Sequence, residues 1–201
     1  MQELIKKSLK DGKNFIEYKQ LVSDLLKEGK STGVTQNDRF LEYSKLNDKR
    51  LKRLSKQLKI SKEAKEKAER VQKEYLWLVL TESWCGDAAH SLPILHGFTE
   101  ANPKIELQVI SRDENPDLMD HFLTSGSRSI PKLVLVEKDK MKVIGTWGPY
   151  PKPVVEQIKA YKEKWGEVDA DLKKDLQVWY NQNKGQSIEN EILELMNNKM
   201  I

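Results

Sequence analysis

The sequence predicts an α/β fold: a mixed parallel and antiparallel sheet flanked by helices, with a helical extension before it and more helices after it. Three observations predict it. Tyr75-Leu76-Trp77-Leu78-Val79-Leu80 is a continuous apolar run of the kind found in a strand buried on both faces. Strand and helix patterns then alternate, which implies a parallel pair joined by a crossover. Two further strand patterns flank Lys138-Asp139-Lys140 and read as a hairpin, which adds antiparallel strands.

The first 74 residues read as helical. Phe15, Tyr18, Val22, Leu25 and Leu26 recur at helical spacing, and Gly29 and Gly33 stop that helix. Asn37 or Asp38 can cap a second helix, whose apolar positions are Phe40, Tyr43, Leu46 or Asn47, Leu51, Leu54 and Leu58. Ser61 opens a short charged helix, Lys62 to Arg70. After the apolar strand, residues 87–101 read as a helix with Pro93 as a kink. Ile105 to Ile110 alternates and reads as a strand, and Asn115-Pro116 starts a helix through Leu123. Lys132 to Val136 and Met141 to Thr146 are the hairpin strands, and Pro153 to Tyr161 reads as a helix. The order over residues 75–164 is therefore β-α-β-α-β-β-α. Two tail helices follow, about Asp171–Asn181 and Ser187–Asn197, separated by Gly185. Residues 1–74 form the extension, 75–164 the α/β body, and 165–201 the helices that pack on it.

A chain of 201 residues favours one domain. Its charged fraction, 33%, implies a heavily solvated surface over a core drawn from 38% apolar residues. The net charge of +4 is too small to imply a nucleic-acid partner. Between Lys45 and Lys73 there are twelve basic and four acidic residues, and Lys45, Lys49, Lys52, Arg53 and Lys56 share one helical face. No aromatic residue interleaves after Tyr43 and no recognition motif appears, so a solvated face is the simpler reading. Met1-Gln2-Glu3-Leu4-Ile5-Lys6-Lys7 has no apolar signal core, and the longest apolar run is far short of the roughly 20 residues that span a bilayer. The expectation is a soluble cytoplasmic protein without a membrane partner.

Cys85 is the only cysteine, which excludes an internal disulfide and a cysteine-cluster metal site. No glycine-rich loop could cradle a phosphate, so no nucleotide, flavin, metal or other cofactor is expected. Trp84-Cys85-Gly86-Asp87-Ala88 sits where the buried strand turns into a helix. A thiol there faces unpaired N–H groups and the positive helix end, both of which favour the nucleophilic thiolate. Asp87 opposes it in part. His90, His96 and His121 are scattered and read as surface or edge residues. Trp77 reads as core, Trp179-Tyr180 as an anchor for the last helices.

Trp84-Cys85-Gly86-Asp87-Ala88-Ala89-His90-Ser91-Leu92-Pro93 resembles the W-C-G-P-C segment of the thioredoxin superfamily, including its helix proline eight residues on. Asp113-Glu114-Asn115-Pro116 is similar to its D-x-N-P. Arg128-Ser129-Ile130-Pro131-Lys132-Leu133-Val134 is similar to its I-P-T-L strand start, and Gly145 falls near its last-strand glycine. The long helical extension and the W-C-G-D-A segment look similar to a group of bacterial thioredoxin-like proteins. The resemblance implies a thioredoxin-like fold, a cis Ile130-Pro131 bond beside Cys85, and an Ile130 backbone that pairs with extended substrate. Trp84, Gly86, Asp87, Ala88, Arg128, Ile130 and Pro131 would line that groove, with Trp84 partly exposed.

Ala88 stands where that superfamily keeps its resolving cysteine, and Val79 where it often keeps a buried acid. The two-cysteine cycle is thereby excluded. Cys85 alone can attack a disulfide, and an outside thiol must then resolve the product. One reading is monothiol exchange or redox sensing on a protein or low-molecular-weight disulfide, with Arg128 holding the thiolate or a substrate carboxylate. The other is a binding module without turnover. A peroxide-reactive thiol fits poorly, because Glu82 rather than a threonine lies three residues before Cys85. An exposed lone thiol could also bridge two chains under oxidation.

Overall fold

A computed structural model describes residues 1–201. The elements run α1 Gln2–Leu9, α2 Phe15–Lys27, α3 Asp38–Gln57, α4 Lys62–Glu69, β1 Tyr75–Thr81, α5 Gly86–Ala101, β2 Ile105–Ser111, α6 Pro116–Met119, β3 Lys132–Glu137, β4 Lys142–Trp147, α7 Lys152–Trp165, α8 Ala170–Asn183 and α9 Gln186–Lys199. The strand order is β2-β1-β3-β4. β1 pairs in parallel with β2 and antiparallel with β3, and the β3–β4 hairpin is antiparallel. All seven residues of β1 are buried, as a central strand covered on both faces requires. No helix is long and apolar enough to cross a membrane.

Side-chain caps fix the helix starts. Asn14 accepts from the Ile16 and Glu17 amides while the Glu17 carboxylate accepts from the Asn14 amide, a capping box for α2. Asn37, Ser61 and Asp169 cap α3, α4 and α8. Between α1 and α2, Lys13 exchanges both backbone hydrogen bonds with Val109, so a single bridge shields the open edge of β2.

One cluster of 42 buried apolar residues runs from Ile5 to Met200 and takes in the sheet, the N-terminal helices and the tail. The extension therefore shares the sheet's core: α3 and α4 pack on α5, and α9 packs on α5 and β4. Trp77 lies fully inside, tilted against Phe98 at 5.8 Å. Trp147 is also buried, its indole N–H donating to Glu191 on α9 at 2.7 Å.

Two readings of the sequence are corrected. The helix expected from Asn115 to Leu123 ends at Met119, after one turn. On α3 Leu51 and Leu54 are buried as expected, but Tyr43 is exposed, Ser44 is buried, and of the alternatives Leu46 and Asn47 it is Asn47 that turns inward. The polar pair wins because Ser44 Oγ and Asn47 Nδ2 bond to Ser83, at 2.7 and 3.1 Å, and so serve the turn after β1.

Candidate functional site

The turn from β1 into α5 carries the site. Ser83 is held from three sides: its amide donates to Thr32 Oγ1 at 2.7 Å, its hydroxyl meets Ser44, and its carbonyl accepts from Asn47. Gly33, at φ +86°, takes the left-handed conformation that lets the preceding loop reach this turn. Thus anchored, the chain passes through Trp84 and sets Cys85 as the N-cap residue of α5.

Cys85 is buried, 7% exposed. The sequence led us to expect a reachable thiolate at a helix mouth; the structure corrects this. The Ala88 and Asp87 amides and the Thr81 hydroxyl lie near enough to the sulfur to favour its anion. Burial outweighs them, with the nearby Asp87 carboxylate adding to it, and the thiol is pushed up to about 12. Its Sγ stands 3.4 Å from the Ile130 carbonyl and donates to it, a bond only the neutral thiol can make. The cavity beside it, lined in part by Tyr18 and Leu92, is about 10 Å³, room for about one water.

The cover comes from both ends of the chain. A side chain grown at Gly86 would start 3.3 Å from Arg50 Nη1, 3.7 Å from Asn47 Oδ1 and 4.0 Å from Gln177 Nε2, so α3 and α8 meet over this residue. The Tyr180 hydroxyl donates to Asp87 Oδ1 at 2.8 Å, and its ring stacks on His90 at 4.3 Å. His90 Nε2 lies 3.1 Å from Gln177 Oε1. Burial raises Asp87 to about 6, against the pull of Tyr180 and Arg50, and lowers His90 to about 4. His90 is thus a buried side chain on the α8 contact, where the sequence suggested a surface or edge position; Tyr180 supplies the aromatic face that lets it be buried neutral.

Of the expected groove, the structure brings Cys85, Gly86, Asp87, Ala88, Ile130 and Pro131 together. The Ile130–Pro131 bond is cis, and Ile130 is buried. Its loop is backed by Gly148, where φ is +103° and a Cβ would fall 2.3 Å from the Pro131 carbonyl oxygen. Trp84 is half-buried, stacked on Phe40 at 4.5 Å with the Arg112 guanidinium 4.8 Å from its ring. Arg128 is exposed and donates from Nε and Nη2 to Asp120, at 2.6 and 2.7 Å, so it is paired with its own neighbour and not with the thiol. Val79 is buried as expected of β1. A buried acid nevertheless exists at Glu82, where the Ser111 hydroxyl and Asp113 amide hold one carboxyl oxygen and burial raises the pKa. Arg50, Gln177, Tyr180 and Arg112 were not found from sequence. Only Tyr180 carried a signal, as an apolar anchor, and none for its bond to Asp87.

Sheet order, the turn into α5 and the nearby proline loop define a thioredoxin-like protein with one cysteine. A family model described as Thioredoxin matches residues 33–164, and the chain belongs to that family. The match takes in α3 and α4 as well as the sheet. The structure is similar to that of a protein of unknown function from Pseudomonas aeruginosa, with a TM-score of 0.60 and 16% identity over 92% of this chain and 98% of that one. It is also similar to an HIV epitope-scaffold, with a TM-score of 0.58 and 17% identity over 88% of this chain and 97% of that one. At these identities the similarity is one of fold. No curated protein matches.

Proposed function

We propose that the protein is a latent monothiol: a thioredoxin-fold redox sensor or exchange protein whose Cys85 is masked in the resting state and reacts once α8 lifts from α5. The observation that carries this reading is the 3.4 Å contact of Cys85 Sγ with the Ile130 carbonyl, beside the Asp87 carboxylate that Tyr180 of α8 holds. This contact keeps the proton on the sulfur, beside the Ile130 backbone with which, by the family resemblance, extended substrate would pair. When the cover opens, water reaches Asp87 and Cys85, the penalty of burial falls, and the helix amides are left to favour the thiolate. The thiolate then attacks one sulfur of an external disulfide. A new S–S bond forms to Cys85, the old one breaks, and the displaced thiolate leaves with the bonding pair. Ala88 supplies no second thiol, so a thiol from outside must release the product. A reducing cytoplasm supplies such thiols, and a protein or low-molecular-weight disulfide is the substrate class; an oxidation-linked dimer would use the same opened thiol.

The test is capture of a mixed disulfide. Incubation with glutathione disulfide should add one glutathione per chain slowly in the native protein and at least tenfold faster in Tyr180→Phe, which loses the bond to Asp87. Cys85→Ser should add none. Equal rates in the native protein and Tyr180→Phe would contradict the gate. The burial of the thiol favours one other reading, a binding module without turnover. A partner captured equally by the native protein and by Cys85→Ser would support that module.

A further inference from the structure

On the far side of α5 from its N-terminus, a cleft of about 260 Å³ opens between α5 and the α3–α4 connection. Its lining is mixed: Leu58, Ile60 and Pro93 are apolar, and Ser55, His96 and Glu100 stand among them. Ile60 lies so close that a Cβ at Gly97 would fall 2.8 Å from it, so the glycine sets how near the connection comes. Inside, the His96 ring stacks on Phe15 at 4.4 Å, presenting a flat aromatic wall.

The rim is cationic and unneutralised. Lys59 and Lys65 line the cleft, and Lys19 Nζ sits 5.3 Å over the Phe15 ring. None of these three ammonium groups takes part in an ion pair, although ion pairs are plentiful elsewhere on the surface. The facing carboxylate is Glu100, 3.6 Å from His96 Nε2. Three free cations against one acid leave an excess of positive charge over the cleft. Apolar side chains with a few polar groups under a charged rim are the composition of a small-molecule site, and the volume suits a ligand of one or two rings.

We propose that this cleft binds a small organic anion with a flat apolar body, an aromatic carboxylate or sulfonate, its ring against His96 and Ile60 and its charge among Lys19, Lys59 and Lys65. The site is independent of the thiol at the opposite end of α5.

The probe is 8-anilinonaphthalene-1-sulfonate, titrated by fluorescence against the full chain. One saturable site per chain is expected. The charge reversal Lys59→Glu with Lys65→Glu should weaken it at least tenfold, and the neutral parent N-phenyl-1-naphthylamine should bind at least tenfold more weakly. Ser55→Trp should abolish binding by filling the cleft. Because Ser55 bonds to the α3 backbone, the exposed-lysine variant decides the matter if Ser55→Trp misfolds. Cys85→Ser should bind as the native chain does. Absence of a saturable site, an unchanged affinity in the lysine variant, or equal affinity for the neutral parent would overturn the proposal.

Discussion

His90 and Asp87 face the same helix, and burial moves their pKa values in opposite senses. His90 is a base lowered from 6.5 to about 4. It binds fewer protons folded than unfolded, so its contribution to stability weakens as pH falls through 6.5 toward 4, by about 3 kcal/mol at the limit. Asp87 is an acid raised from 3.8 to about 6. It binds more protons folded, so its contribution strengthens as pH falls from 6 toward 3.8, and weakens as pH rises through 6. The two partly cancel between pH 4 and 6. Urea titrations across that range should show a steeper acid loss in Asp87→Asn and a shallower one in His90→Gln. Identical slopes in both variants would contradict the assignment. The sequence named Cys85 and Asp87, because a helix N-terminus is legible as a motif. It did not reveal that the thiol is covered, because the residues beside it, Tyr18, Val22 and Leu51, come from α2 and α3, and no local pattern shows which helices pack over the sulfur. Arg128 shows the converse: a basic residue beside the right loop, satisfied by its own neighbour Asp120.

Most of the elements were legible from periodicity and caps, since Asn37, Ser61 and the apolar run of β1 act locally. The face of α3 was not. The spacing pointed to Tyr43 and left Leu46 and Asn47 as alternatives, whereas Ser44 and Asn47 turn inward to serve Ser83, and only the tertiary partner reveals that. Gly148 is the corresponding case in a loop. Its positive φ and the 2.3 Å approach to the Pro131 carbonyl oxygen leave no room for a side chain. Gly148→Ala should destabilise the fold by about 2–4 kcal/mol in equilibrium unfolding. A change below about 0.5 kcal/mol would show that the loop relaxes without cost.

At the scale of the whole molecule, the segments outside the strands do more than decorate the sheet. They contribute to one continuous core and close over the N-terminus of α5 from two directions. The thiol that opens α5 is thereby given the environment of a core residue. The direct test is the pH dependence of Cys85 alkylation by iodoacetamide, native against urea-unfolded. The account predicts that at pH 7 the native thiol reacts about a thousandfold more slowly than the unfolded one, its rate still climbing above pH 10. A native profile that levels off at or below about pH 8.5, at the unfolded chain's rate, would mean the sulfur is neither covered nor held protonated.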